Sequence, residues 1–371
     1  MTQQIIMLDQ YLSGINNHIY SQLNSRNWKI NILNVPFPKM NILKALLMEF
    51  NLNIFQWKQN AVERYLQICN TSDTFIKRTI FCQKKLDKLY GKFDLIFQVS
   101  GMFAPTLEYE NLKVPYVTFN DYTMALTLKY PAASSPPSQI QRWLELEKKL
   151  YQNASKIFTT SENTKKSIIN DYNIETKKVI LVRYGIPIEF NQKTTKLYSN
   201  NTILFIGRNF KHKGGFILLK AFQKVRNVIP SAKLIIVGVD KNIIQKKPPG
   251  VEILGFIKDR NKINNLFEYS TIFVMPSYYE AFGLVFLEAM IHKLPCIGTN
   301  IDAIPEIISD GETGFLIRPD DVDGLANKII ILLKNPELSK KMGLLGYEKA
   351  KNEFSWNEFG EKIDKNLKEL I

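Results

Sequence analysis

The chain has 371 residues, room for two cores of about 150 to 200 residues each, which excludes a peptide, a lone small binding module and a disulfide scaffold. Apolar residues make up 45% and charged residues 23%, and Cys69, Cys82 and Cys296 are isolated thiols with no CxxC pair; disorder, a disulfide framework and a zinc site are thereby set aside. The net charge is +14, with 25 basic and 15 acidic side chains over residues 1–200 against 24 and 20 beyond, so the first half would draw a polyanion: nucleic acid, an anionic bilayer surface or a phosphorylated substrate.

Short β-rich runs alternate with helical patterns along the whole chain, the arrangement of parallel sheets covered by helices. Strands are predicted at Gln4 to Leu8, Lys29 to Val35, Asp94 to Val99, Tyr116 to Phe119, Lys156 to Thr160 and Lys178 to Arg183. The second set is Thr202 to Ile206, Lys233 to Val237, Val251 to Leu254, Thr271 to Met275, Pro295 to Gly298 and Gly314 to Ile317. The polar run between Pro187 and Asn200 separates the sets, giving domains at 1–190 and 191–355. A terminal segment, 356–371, has helical spacing at Phe359, Ile363 and Leu367.

Two segments of the first half stand apart. Pro131 to Gln139, with three prolines and three serines, reads as a surface loop. Lys77 to Lys92 reads as a helix with Ile80, Phe81, Leu86 and Leu89 on its apolar side and a solvated lysine-rich face. The N-terminus lacks a signal-peptide pattern and no run of about 18 uncharged apolar residues occurs, so a cytoplasmic protein is expected, with peripheral attraction to an anionic membrane as a candidate property.

Chemistry concentrates in the second half. The strand ending at Ile206 is followed by Gly207-Arg208, then Lys211 and Lys213, and Gly214-Gly215 open a helix. A guanidinium and an ammonium at the carboxyl end of a parallel strand suit a diphosphate, although the residues alone leave solvated loop charges open as a reading. Neither the GxxxxGK[ST] nor the GxGxxG spacing is present. Farther on, Glu280-Ala-Phe-Gly283-Leu-Val-Phe-Leu-Glu288 places a glycine where loop gives way to helix, so N–H groups there can meet an anion without Cβ obstruction. A carboxylate such as Glu280 or Glu288 matches the paired O–H donors of a sugar, and Glu288 stands among apolar neighbours where it asks for a partner.

The E-x7-E glutamates, the upstream Gly-Arg with Lys five positions later, and Pro305-Glu306 before Asp310-Gly311-x-x-Gly314-Phe315 resemble the retaining glycosyltransferases of the GT4 group. The resemblance extends more weakly through Ser161-Glu162-x-Thr164 and Val182-x-x-Gly185-x-Pro187-x-x-Phe190. It implies the GT-B fold, an α/β architecture of two doubly wound Rossmann-like domains facing across a cleft where catalysis occurs, with the terminal helix crossing back to the first domain. It further implies transfer of a sugar from a UDP-, GDP- or ADP-sugar to a hydroxyl acceptor, glycan, lipid-linked or small molecule, with retention of configuration.

By the same resemblance Arg208 and Lys213 hold the donor diphosphate, Glu280 touches the donor sugar and Glu288 the ribose. N–H groups around Phe282, Gly283 and Leu284 cap phosphate or sugar oxygens, Phe256 and Ile257 lie against the base, and Gly14 stands in the first loop where the family shows a glycine pair. No metal or other cofactor is expected, because two cations neutralise the leaving diphosphate; Asp321-Val322-Asp323 is read as a helix cap. The family's His-Asp pair is replaced by Asn120-Asp121. Asn120 can hydrogen-bond a donor but cannot titrate, so any proton role falls to Asp121. Of the histidines, His292 is expected at the surface, His212 in the phosphate loop and His18 on the first helix. Two alternatives are a catalytically inactive GT-B-shaped binding or scaffold protein, suggested by Asn120, and a nucleic-acid binder, which rests on charge alone and lacks any recognition motif.

Overall fold

Runs of branched and aromatic residues between Gly, Pro and Asn punctuation build two parallel sheets of six strands each in this computed structural model. It describes residues 3–9, 15–50, 57, 61, 64–65, 67–89, 91–107, 114–129, 137–186, 196–244 and 246–371. One compact unit comprises residues 1–183 and 356–371, the other residues 184–355.

In the first unit the strands are β1 (Gln4–Asp9), β2 (Lys29–Asn34), β3 (Leu95–Val99), β4 (Tyr116–Phe119), β5 (Lys156–Thr159) and β6 (Val179–Leu181), in the order β2-β1-β3-β4-β5-β6. β3 and β4 are buried along their whole length, whereas edge strand β2 is largely exposed, as expected for a sheet covered on both faces except at its rim. The helix Trp356–Lys368 packs on this unit: Phe359, Ile363 and Leu367 are buried, Trp28 donates from its indole to Asp364 at 2.7 Å, and the His18 ring stacks on Trp356 at 4.6 Å.

In the second unit β7 (Thr202–Ile206), β8 (Lys233–Val237), β9 (Val251–Gly255), β10 (Ile272–Met275), β11 (Cys296–Thr299) and β12 (Gly314–Ile317) assemble as β12-β11-β10-β7-β8-β9. All twelve predicted strands form, with ends shifted by two residues at most. In each sheet the strand order reverses beside the first strand, between β1 and β3 and between β7 and β10. Loops leaving the carboxyl ends diverge there and open a crevice for a ligand.

Two local expectations are corrected. The predicted helix Lys77 to Lys92 is Ser72–Asp87, begun by Thr71, whose hydroxyl accepts from the Thr74 N–H. Its buried stripe is Phe75, Arg78, Thr79, Cys82 and Leu86, while Ile80 and Phe81 are exposed. The reason is Arg78, which stays inside because the carbonyls of Val35 and Met102 accept from it at 2.8 and 3.3 Å and the rings of Phe37 and Phe103 flank it. His292, expected at the surface, is buried against Phe267, with burial lowering its pKa to about 3. Residues 131–136 of the proline-rich segment lie outside the described residues; the helix Pro137–Asn153 follows.

Candidate functional site

The second unit's switch point gathers the charged residues. From β7 the chain passes through Gly207 and Arg208 to Gly214, which caps the helix Gly215–Val228 at φ +72°. A side chain at Gly214 would place its Cβ 1.8 Å from the Pro276 carbonyl oxygen, so a glycine lets the two loops touch. The Tyr278 N–H donates to the His212 carbonyl at 2.8 Å and ties them again.

Across this seam Lys213 Nζ lies 2.6 Å from Glu280 Oε2, both side chains largely shielded. A charge-assisted bond at this length in a half-excluded crevice holds the ammonium against the sheet edge. Glu280 is fixed from behind, its N–H donating to Asp302 Oδ2 at 3.1 Å, and Asp302 takes a positive φ of 49° to do so. Tyr278 hydrogen-bonds Asp320 through its hydroxyl. Asp302, Tyr278 and Asp320 escape a sequence reading because their only local signal is the loop following each strand end.

Gly283 caps the helix Leu284–Ile291 at φ +101° with no side-chain cap, leaving the helix start open. Its missing Cβ would stand 2.9 Å from the Phe286 ring and 3.3 Å from Glu280 Cγ, so the open N–H groups and the Glu280 side chain share one corner. Leu284 begins that helix half-buried; the Phe282 side chain turns inward between the rings of Tyr184 and Phe354, leaving its backbone for the site.

On the other side of β7, Arg208 is exposed and its guanidinium lies over the Phe256 ring at 5.2 Å from the centroid. Phe256 follows β9 and is 57% exposed, with Ile257 half-buried beside it. An uncovered aromatic face next to a cation can take a planar ring and an anion together. Glu288 is largely buried, and Arg260 Nη1 reaches both of its oxygens at 3.3 and 3.2 Å. Burial raises the Glu288 pKa, and Arg260 opposes that rise. Arg260 opens the helix Arg260–Tyr269 after the Asp259 cap, a cap-plus-one position that carries no signal of a glutamate partner.

The structure therefore brings together Lys213 with Glu280 and Gly283, Arg208 with Phe256, and Glu288 with Arg260. Asn120 and Asp121 belong to the first unit. Asn120 is buried, donating from its amide to Thr118 Oγ1 at 2.9 Å, and the Asp121 carbonyl accepts from Thr164 Oγ1 at 2.9 Å. Ser161 caps the helix Glu162–Tyr172 that carries Thr164, so the Ser161-Glu162-x-Thr164 motif braces this loop. Gly14 lies outside the described residues. Asp321 caps the helix Val322–Lys334 by accepting from the Gly324 N–H at 2.7 Å, and Asp323 pairs with Lys224. Asp310 accepts from the Leu316 N–H, and a Cβ at Gly314 would meet the Cys296 carbonyl at 1.9 Å, so the Asp310 to Phe315 motif serves β11 to β12 packing. Among the described residues no helix is long and apolar enough to cross a membrane.

Known proteins resemble this chain in sequence and in fold. The capsular polysaccharide biosynthesis glycosyltransferase CapM of Staphylococcus aureus is 27% identical over 243 residues, 58% of this chain and 63% of that protein. The N-acetyl-alpha-D-glucosaminyl L-malate synthase of Bacillus anthracis is 35% identical over 142 residues, 37% of each chain. The chain thus spans less than two thirds of the length of these two relatives. Solved structures agree in fold: a glycosyltransferase of Rickettsia africae superposes with a TM-score of 0.70 at 19% identity over 100% of this chain and 98% of that one. HepE of Anabaena, solved with UDP and glucose, gives 0.66 at 15% identity over 99% and 100%. The family described as glycosyl transferases group 1 matches residues 188–349. Residues 188–349 thus resemble that family, on a chain whose fold matches that of solved GT-B glycosyltransferases.

Proposed function

We propose that the protein is a glycosyltransferase that moves a sugar from a nucleotide-diphosphate donor, a UDP-sugar first, to a hydroxyl acceptor, with retention of configuration and without a metal. The observation that carries this reading is the Lys213 and Glu280 pair held at the β7/β10 switch point beside the open helix start at Gly283. UDP is the nucleotide in the HepE structure and in one of S. aureus TarM, and CapM's name supports a glycan acceptor.

Cleavage of the bond between sugar and diphosphate builds positive charge on the sugar and negative charge on the leaving phosphate. Arg208 and Lys213 are cations for that phosphate, and the N–H groups at Phe282, Gly283 and Leu284 add donors that need not reorganise. Glu280 holds Lys213 in place and offers its second oxygen to a sugar hydroxyl. Glu288 takes the ribose hydroxyls, with Arg260 favouring its ionised, accepting form. Phe256 and Ile257 receive the base. Asn120 hydrogen-bonds the donor sugar, Asp121 carries any proton role from the first unit, and the leaving phosphate takes the acceptor proton on the face it departs from. The positive first half favours an anionic membrane or a phosphate-bearing acceptor. A panel of UDP-, GDP- and ADP-sugars with a cell extract, read by mass spectrometry with and without chelator, tests the reading. Glycosylated product in both conditions supports it; release of no sugar from any donor overturns it. Tight nucleotide-sugar binding without turnover would instead favour the inactive scaffold that Asn120 suggests.

A further inference from the structure

We propose that Glu147 is a positioning residue for the segment 120–123, fixing Asn120 and Asp121 through the start of the helix Met124–Thr127. The importance of that segment rests on the function proposed above; the placement of Glu147 does not.

Glu147 lies in the middle of the helix Pro137–Asn153 and is only 3% exposed. Its carboxylate accepts from the Tyr151 hydroxyl at 2.9 Å, from the Tyr172 hydroxyl, and from the Met124 N–H at 3.1 Å. The Tyr172 oxygen in turn accepts from the Ala125 N–H at 3.0 Å, and Thr123 Oγ1 accepts from the Leu126 N–H at 3.1 Å. The first three N–H groups of a four-residue helix are therefore each held by a different side chain, and two of the three routes converge on Glu147. A helix this short has almost no stability of its own, so those acceptors decide where it begins. The residues just before it are anchored in the same way, the Asn120 N–H by the Phe158 carbonyl at 2.9 Å and the Asp121 carbonyl by Thr164.

Glu147 also approaches Asn120 across Gly101. A Cβ built on Gly101, just past β3, would stand 2.7 Å from Asn120 Oδ1 and 3.4 Å from Glu147 Oε1. The amide and the carboxylate thus flank one glycine, and no side chain can enter between them. Burying a carboxylate is expensive, and an apolar residue would fill the space at lower cost. What it supplies is a charged acceptor for three donors at once.

The groups facing Glu147 are Tyr151 on its own helix, Tyr172 on the helix Glu162–Tyr172, the Met124 N–H and the Asn120 and Gly101 edge. None of these is a cation. Burial pushes the Glu147 pKa up to about 7 against the pull of its three donors, so both forms are populated near neutrality. The ionised carboxylate can accept from all three donors, whereas protonation takes up one oxygen. The start of the helix is thus held more tightly above that pH than below it.

Hydrogen exchange at the Met124 and Ala125 amides of the full chain reads this directly, without any substrate. In E147Q one acceptor becomes a donor, and exchange at these amides should be faster by about tenfold or more, as for loss of a hydrogen bond to a charged group. Protection relative to intrinsic exchange should rise with pH through about 7 in the native protein and stay flat in the variant. Y151F, which removes a donor to Oε1 and leaves the Met124 and Tyr172 bonds to Oε2, should stay close to native. Unchanged protection in E147Q overturns the proposal. Should E147Q fail to fold, Y172F keeps the carboxylate and removes the Ala125 acceptor, and undiminished Ala125 protection there overturns it equally. In turnover, E147Q should lower kcat by about tenfold with donor KM within about twofold, since the residues proposed to hold the donor's diphosphate, ribose and base belong to residues 184–355; a change in melting temperature with native kcat and pH profile would mean a merely structural role. If the native protein releases no sugar from any donor, the functional reading fails while the exchange experiment still decides the role of Glu147.

Discussion

The charges described above sit in opposite settings in the two units. In residues 184–355 the side chains proposed for binding and chemistry stand in the loops and helix starts after the strands, partly open, and meet across a seam: Lys213 with Glu280, Arg208 over Phe256, Glu288 with Arg260. In residues 1–183 comparable charges are sunk into the core. Arg78 is buried among two rings and two carbonyls, and Glu147 among two tyrosines and an amide. Open charges can take part in binding and chemistry, whereas Arg78 and Glu147 hold backbone in place.

The largest effect expected from that contrast is on turnover by the Lys213→Ala variant. It should lose on the order of 10²- to 10³-fold in kcat, as when one preorganised donor to a developing oxyanion is removed. A loss below tenfold would take Lys213 out of the diphosphate site. Next, Glu288→Ala should weaken donor binding by about tenfold, the order of one or two charge-assisted hydrogen bonds, and native affinity in calorimetry would remove Glu288 from the ribose. Phe256→Ala should cost only a few-fold in donor affinity, since an exposed cation–π and stacking contact contributes about 0.5 to 1 kcal/mol. A larger loss would make base stacking a main determinant of donor choice.

The smallest effects concern pH and sharpen the contrast between buried groups. Glu147 has a folded pKa near 7, above the ordinary 4.5. For global unfolding, which returns the carboxyl to water, its contribution is therefore present below about pH 4.5 and lost as pH rises towards 7, even though the ionised form holds the helix start more tightly while the fold is intact. His292 has a folded pKa near 3, below the ordinary 6.5; its contribution is present above 6.5 and lost as pH falls towards 3. Denaturant titrations from pH 4 to 8 should show E147Q gaining relative to the native protein as pH rises through 4.5 to 7, and His292→Phe gaining as pH falls below 6.5. Parallel curves for variant and native protein would contradict these assignments.

The same contrast explains what the sequence made legible. The twelve strands announce themselves as apolar runs between turn residues, because parallel strands are buried on both faces. The Arg208 to Lys213 loop and the Glu280 to Glu288 segment are also readable, since spacing along one loop or one helix start fixes which groups share a sheet edge. Partners from distant loops are not readable in that way: Asp302 behind Glu280 and Arg260 beside Glu288 are joined by tertiary packing alone. The helix Ser72–Asp87 departs from its lysine-rich spacing because carbonyls and rings take Arg78 inside, which no charge pattern along the chain signals. His292 departs in the same way, a polar ring after a helix that packs on Phe267 and not against water. Glu147 carries a local signal, a lone carboxylate in the stripe of Trp143, Leu146, Leu150 and Tyr151, all of them buried.

The most direct measurement is a calorimetric titration of UDP and other nucleoside diphosphates into the native protein and into Lys213→Ala, in the presence of chelator. The account predicts saturable binding of at least one nucleotide to the native protein and binding weaker by about tenfold or more in the variant, as for a lost charge-assisted contact to phosphate. Binding of equal strength in both proteins, or of no nucleotide to the native one, would contradict it.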